Sequence, residues 1–245
     1  MLDPRAISIA SDYWASFFNC PVAELFTSPI RVSLHGPELE GYWGAYALFR
    51  DGKAMVSIPP GSDEFLAESL ADPARLFSPV GFAEAFAPLS AFTIGSAYLG
   101  YAPLIHALGS SARALSESDT PALGHLKDEC DATEWDHGGS SIEHPCSGVF
   151  ADGQLASLAG YETWGGTIAH ISIITHPDFR GHGYARDAVA HLANRALASG
   201  LLPQYRTLES NAPSIRVAQA VGFSHYASSV AVRLSAEGKA QSPPR

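Results

Sequence analysis

The 245-residue chain carries 25 Asp and Glu against 15 Lys and Arg, a formal net charge of −10, and 46% of its residues are apolar. That charge disfavours nucleic acid or an anionic membrane as partner, since both reward clustered Lys and Arg, and mildly favours a cationic or amine-bearing one. Three cysteines (Cys20, Cys130, Cys146) make no disulfide framework, no stretch reaches the roughly 20 apolar residues of a membrane span, and Met1-Leu2-Asp3-Pro4-Arg5 is no signal segment, so the cytoplasm is the expected location.

Trp14, Phe17 and Phe18 lie on one face of an opening helix. Tyr42–Phe49 and Ala54–Ile58 flank Asp51-Gly52, a hairpin signal. Pro59-Pro60-Gly61 breaks the chain, and Ser62 is placed to cap a helix through Glu64, Leu66 and Leu70. Ala91–Tyr101 is a glycine-interrupted apolar run that reads as a strand. Strands and helices thus alternate over residues 1–110, which predicts a small α/β domain, with its boundary in Leu108-Gly109-Ser110-Ser111.

Beyond it, Ala132–Pro145 is polar and reads as a loop, and Gly148–Ala151, Asp152-Gly153 and Gln154–Tyr161 form a second hairpin. Trp164-Gly165-Gly166 turns the chain into a buried strand, Ala169–Thr175. A tight loop follows, His176-Pro177-Asp178-Phe179-Arg180-Gly181-His182-Gly183-Tyr184-Ala185, and runs straight into a helix. Along that helix Ala185, Ala188, Val189, Leu192, Ala193, Ala196 and Leu197 recur at helical spacing up to Gly200. Leu202–Leu208 predicts a strand and Asn211-Ala212-Pro213-Ser214 opens a short helix ending at Gly222-Phe223. Tyr226–Leu234 predicts a last strand, and the tail 236–245 reads as disordered.

The Gly181–Gly183 loop is suited to a phosphate, because glycine brings bare backbone N–H groups close and the helix start behind it carries partial positive charge. Arg180 adds a full charge. A P-loop would need Lys and then Ser or Thr after its last glycine, where Tyr184-Ala185 stand; a dinucleotide fingerprint would need a third glycine in register. His125, Cys130, Asp136, His137, His144 and Cys146 are metal-capable types, yet their spacing matches no metal-ligand pattern, so no metal is expected.

Strand, R-G-x-G-x-A loop, helix, strand, N-x-x-S, helix and G-F, in that order from Ala169 to Phe223, resemble the second half of a GNAT acyltransferase, the superfamily that moves acetyl from acetyl-CoA to an amine. Arg113–Asp119 resembles the superfamily's opening strand and capped first helix, which continues over Thr120–Asp131. The resemblance implies an α/β fold with a mixed, mostly antiparallel sheet over residues 111–235. The domain over 1–110 would then be a degenerate GNAT-like half. It implies that Ile173, Ile174 and Thr175 hold the pantetheine arm, that Arg180, Gly181, His182, Gly183, Tyr184 and Ala185 take the pyrophosphate, and that Asn211 and Ser214 contact the cofactor.

Position 218, seven after Asn211, is where many GNAT enzymes carry a tyrosine that protonates the leaving thiolate, and here it is Ala218. Ser214 and Tyr205 are the substitutes, and Glu162, with Glu134 and His144 as alternatives, is the candidate base. Glu134, Trp135 and His144 are candidates for the acceptor pocket. The implied reaction is direct transfer from acetyl-CoA, as co-substrate, to an amine-bearing substrate that is a small molecule. A protein N-terminus or lysine is the alternative acceptor, and a non-catalytic acyl-CoA-sensing module is the alternative class. A homodimer is among the assemblies left open.

Overall fold

The computed structural model describes residues 3–106 and 111–235; the expected boundary at Leu108-Gly109-Ser110 and the tail 236–245 lie outside them. The element order is α1 (Pro4–Phe17), β1 (Ile30–Leu34), β2 (Gly44–Arg50), β3 (Lys53–Ile58), α2 (Asp63–Leu70), α3 (Pro79–Phe86) and β4 (Ser90–Tyr101). There follow β5 (Ala112–Ala114), α4 (Thr120–Glu129), α5 (Ala132–Gly138), β6 (Cys146–Ala151), β7 (Gln154–Trp164) and β8 (Ile168–Thr175). The chain ends with α6 (Tyr184–Ala198), β9 (Leu202–Leu208), α7 (Ala212–Val221) and β10 (Ser224–Leu234). Two compact units result. One comprises Gly100–Arg206 and Ala212–His225 with the start of the chain up to Ala6; the other comprises Ile7–Leu99, Thr207–Asn211 and the residues from Tyr226 onward.

In the second of these units β1 pairs parallel with β3, β2 and β3 form the Asp51-Gly52 hairpin, and β10 pairs antiparallel with β2 from Ser228↔Phe49 to Arg233↔Gly44. Six of the seven residues of β2 are buried, rather than every second one. The reason is cover on both faces. Ala45, Ala47 and Phe49 pack with Val230, Val232, Leu66, Phe82 and Phe86, while Tyr46 meets Trp14 and Phe17 of α1 at ring separations of 6.1 and 4.8 Å. Ser62 does precede α2, but its hydroxyl donates to the carbonyl of Pro59 (2.6 Å) and does not cap the helix.

The first unit carries β5, β6, β7, β8 and β9 in that order, antiparallel up to β8 and then parallel between β8 and β9. This is the mixed, mostly antiparallel sheet that the sequence predicts. On one face lies α6, tied to β6 by His191 Nδ1 with Ser147 Oγ (2.8 Å) and by Arg195 donating to the Cys146 carbonyl (2.7 Å). The other face carries α4 and α5, whose Leu126, Cys130 and Trp135 pack on Cys146, Leu155, Leu158 and Ile174. Two members of the metal-capable cluster, Cys130 and Cys146, are therefore core residues, and burial pushes both thiols up.

Ser116 and Asp119 start the α4 region with a reciprocal capping box, and Arg113 clasps the Asp119 carboxylate at 2.6 and 2.8 Å. The loop expected over Ala132–Pro145 is half helix: α5 forms there because the Asp131 carboxylate accepts the N–H groups of Thr133 (2.8 Å) and Glu134 (3.2 Å). Asp131 three residues before Glu134 is itself a helix-start pattern, so the signal stood in the sequence. It was masked by the polar composition.

Candidate active site

The parallel ladder between β8 and β9 runs from Ile168↔Leu202 to Ile171↔Tyr205 and ends there, whereas β8 stays paired with β7 up to Ser157↔Thr175. Beyond Ile171 the two parallel strands therefore part. Since a strand's backbone groups alternate between its two edges, some N–H and C=O groups of Ser172–Thr175 face this opening. Ile173, Ile174 and Thr175 sit along it. Ile174 turns its side chain into the apolar cluster, and Thr175 Oγ1 bonds Ser157 Oγ at 3.0 Å. The end of α5 comes against the same stretch: a Cβ at Gly138 would lie 2.5 Å from the Ile173 carbonyl oxygen, so only glycine fits.

After Thr175 the buried His176 reverses the chain. Its N–H bonds the Ala156 carbonyl (3.0 Å) and its ring nitrogen accepts the N–H of Asp178 (3.2 Å), starting the one-turn 3-10 helix Pro177–Phe179. Gly181 and Gly183 both have φ of 84°, which a side chain would strain. Gly183 is the N-cap of α6 and, having no side chain, leaves the first amides of that helix without a capping acceptor. Two guanidinium groups flank this helix start. Arg180 donates to the Thr175 carbonyl (3.3 Å) and to the Glu134 carboxylate (2.6 Å); Arg186 Nη2 lies 3.5 Å from where a Gly183 Cβ would be. Arg186 is paired with Asp187, which is buried and takes a hydrogen bond from Ser111 Oγ (3.1 Å). His182 and Tyr184 stack their rings at 5.7 Å.

At the root of the opening, Tyr205 and Ser214 meet, hydroxyl to hydroxyl, at 2.8 Å. Tyr205 is fully buried against Phe223, at 5.4 Å between rings, and Ser214 sits in the first turn of α7. Ala218 is fully buried and its carbonyl accepts the N–H groups of Gly222 and Phe223. On the opposite face of the sheet Glu162, exposed, is the cross-strand neighbour of His170, and His170 is the register partner of Gln204. His170 Nδ1 lies 2.8 Å from Gln204 Oε1, and Gln204 Nε2 donates to Tyr101 Oη at 2.8 Å. Trp164 lies flat on the imidazole, 3.8 Å and 14° away.

The acetyltransferase (GNAT) family matches residues 112–223. This stretch is a GNAT acetyltransferase domain. Members of that family are acetyltransferases. A GNAT-family protein from Novosphingobium aromaticivorans DSM 12444 shares the fold at 24% identity and a TM-score of 0.50, over 58% of this chain and 65% of that one. The chain thus spans about two thirds of that relative's length. An acetyltransferase of the GNAT family from Colwellia psychrerythraea matches at 14% identity and a TM-score of 0.55, over 96% of this chain and 98% of that one. No curated protein matches the sequence significantly. Among the described residues no helix is long and apolar enough to cross a membrane.

Within the GNAT domain, Ile173–Thr175 and Arg180–Ala185 form one continuous stretch from the strand opening to the start of α6. Tyr205 and Ser214 are brought together. Asn211 is exposed just before α7, its N–H on the Leu208 carbonyl (2.9 Å). Of the three pocket candidates, Glu134 is engaged by Arg180, Trp135 packs in the apolar cluster with Lys127 Nζ 5.8 Å over its ring, and His144 is exposed in the turn before β6. Sequence reasoning missed Arg186, which the spacing of three from Gly183 on a helix could have flagged. It also missed His170, Gln204 and Tyr101, which no local pattern marks.

The Glu134–Arg180 pair yields a test. Both side chains are about half exposed, so the ion pair is weak, but it competes for the cation nearest the glycine loop. Glu134→Gln is expected to tighten CoA binding about two- to fivefold at low salt, read by calorimetry. Looser binding would mean instead that Glu134 holds Arg180 in the pose an anion needs.

Proposed function

We propose that this chain is an acetyl-CoA-dependent N-acetyltransferase that transfers the acetyl group directly to the primary amine of a small molecule, either an amino-acid-like metabolite or an amine-bearing antibiotic. The observation that carries the reading is the uncapped start of α6 behind Gly181 and Gly183, flanked by Arg180 and Arg186 and continuous with the open stretch of β8. Backbone amides on a helix N-terminus with two nearby guanidiniums form a donor set that fits a pyrophosphate. Bound acetyl-CoA supplies the thioester carbonyl that the amine attacks.

The chain's residues then have separate tasks. Amides and guanidiniums of Arg180–Arg186 hold the pyrophosphate. Backbone groups of Ile173–Thr175 hold the arm as an added strand would, and an N–H there polarises the thioester carbonyl. Tyr205 and Ser214, sharing one hydrogen bond, supply the proton that the departing sulfur needs in place of the tyrosine missing at Ala218. Glu162, exposed beside the opening, attracts the ammonium form of the acceptor. A non-catalytic acyl-CoA sensor is the reading of another class, and Ala218 favours it.

Calorimetric titration with acetyl-CoA, CoA and ATP, followed by thiol release with an amine panel, tests the proposal. Micromolar binding of both CoA species without ATP binding, and turnover with at least one small amine, is the expected result. Binding without turnover on any amine would favour the sensor, and absence of CoA binding would remove the cofactor site altogether.

A further inference from the structure

A hydrogen-bonded pair and a hydrogen-bonded chain of three residues stand at the root of the strand opening, on opposite faces of the sheet. Gln204 and Tyr205 are consecutive on β9, so their side chains leave on opposite sides. The Tyr205–Ser214 pair occupies one side. On the other, the face of α4 and α5, runs the chain Tyr101–Gln204–His170. Tyr101 and Gln204 are fully buried, so their hydrogen bonds are costly to break. With the Gln204 amide nitrogen donating to Tyr101, its oxygen is left to accept, and the donor to it is Nδ1–H of His170. That tautomer leaves Nε2 with a lone pair, and no hydrogen bond to Nε2 is formed within the described residues.

Among the described residues His35 is the other imidazole that burial pushes down to about 4, and it makes the contrast. His35 has both nitrogens engaged, Nδ1 with Ser57 Oγ at 2.7 Å and Nε2 with the Tyr42 carbonyl at 3.1 Å. His170 is held as tightly but on one nitrogen only, and the Trp164 ring fixes its plane. Burial pushes His170 down to about 4, so the ring is neutral at physiological pH. The groups facing it are Glu162 from β7, Gln204 and Arg206 from β9, and Tyr101 behind Gln204; Arg206 adds to the downward shift.

We propose that His170 is the general base of the transfer, its Nε2 taking the proton of the attacking amine, with Gln204 and Tyr101 as positioning residues that hold the tautomer. The assignment rests on the acyltransferase reading. The bound ammonium first gives its extra proton to water; as the neutral amine nitrogen then bonds the thioester carbon, a second proton passes from it to His170 Nε2, the C–S bond breaks with its electron pair going to sulfur, and sulfur takes a proton from the Tyr205–Ser214 pair. The imidazolium then releases its proton to water and the hydroxyl pair regains one, leaving amide, CoA thiol and unchanged enzyme. A base of low basicity suffices because the amine nitrogen turns acidic as the C–N bond forms.

The test is thiol-release kinetics of the wild type, His170→Gln, His170→Ala and Gln204→Met over a pH series, with CoA affinity measured on each. His170→Gln is expected to lower kcat by about 100-fold or more while CoA binds within about twofold of wild type. Added imidazole restores part of the activity to His170→Ala. Calculated on the concentration of neutral amine, the wild-type kcat/KM falls on the acid side at a pH nearer 4 than 6.5, and His170→Gln loses that limb. Gln204→Met, which keeps the volume and removes the acceptor, lowers kcat about tenfold at unchanged KM and covers the case in which the His170 variants do not fold. Wild-type turnover together with a His170→Gln kcat within about threefold, or an unmoved acid limb, overturns this assignment alone. A wild type that binds CoA and turns over no amine overturns the acyltransferase reading and this assignment with it.

Discussion

Gly183→Val is expected to cost the protein about 100-fold or more in CoA affinity while leaving its fold intact. At φ 84° and ψ 2° Gly183 occupies the left-handed region, where a β-branched residue is strained by roughly 1–3 kcal/mol. The strain is relieved by rotating the peptide units that aim the first amides of α6. An added side chain would also stand against the Arg186 guanidinium, 3.5 Å from the Cβ position. A phosphate that loses two charge-assisted hydrogen bonds at about 1.5–3 kcal/mol each loses roughly two to four decades of affinity. Gly181→Ala is the control. It shares the positive φ but its Cβ would meet nothing within 4 Å, so it is expected to weaken CoA binding about tenfold or less. Calorimetry on the two variants, with thermal unfolding alongside, checks this. Undiminished binding by Gly183→Val would show that the anion does not sit at the start of α6.

Tyr205→Phe and Ser214→Ala are each expected to lower kcat about 100-fold, with KM and CoA affinity within about twofold of wild type. The two hydroxyls share one hydrogen bond of 2.8 Å, so removing either breaks the same proton path. The double variant should therefore be no slower than the worse single one, which is the mark of residues acting as a unit. Removing a buried hydroxyl from Tyr205 costs about 1 kcal/mol of stability, too little to unfold a domain, so a loss of kcat in a folded variant is interpretable. Single variants that keep wild-type kcat would mean that sulfur takes its proton from water.

What was legible in the sequence is local. A positive φ needs glycine, so the Gly181 and Gly183 turn could be read directly, as could the Asp51-Gly52 and Asp152-Gly153 hairpins. Alternation and helical spacing located β7, β8, α6 and α7, because burying one face imposes a period on the chain. The helix α5 was hidden by its polar residues although Asp131 and Glu134 supply its cap. Pairings were another matter. Nothing near β10 says that it joins β2, whose residues precede it by more than half the chain.

The candidate site divides along the same line. Arg180–Ala185 is a run of neighbours, and the sequence alone determined that it forms a glycine turn into a helix suited to an anion, because every requirement there is met within one turn of chain. The ending of the parallel ladder at Ile171↔Tyr205, the meeting of Tyr205 with Ser214, and the Tyr101–Gln204–His170 chain were decided only by tertiary structure. A histidine in an apolar strand reads the same whether its second nitrogen is engaged or not. Its chemistry depends on which side chains the register sets opposite it, and register is a property of two strands rather than one.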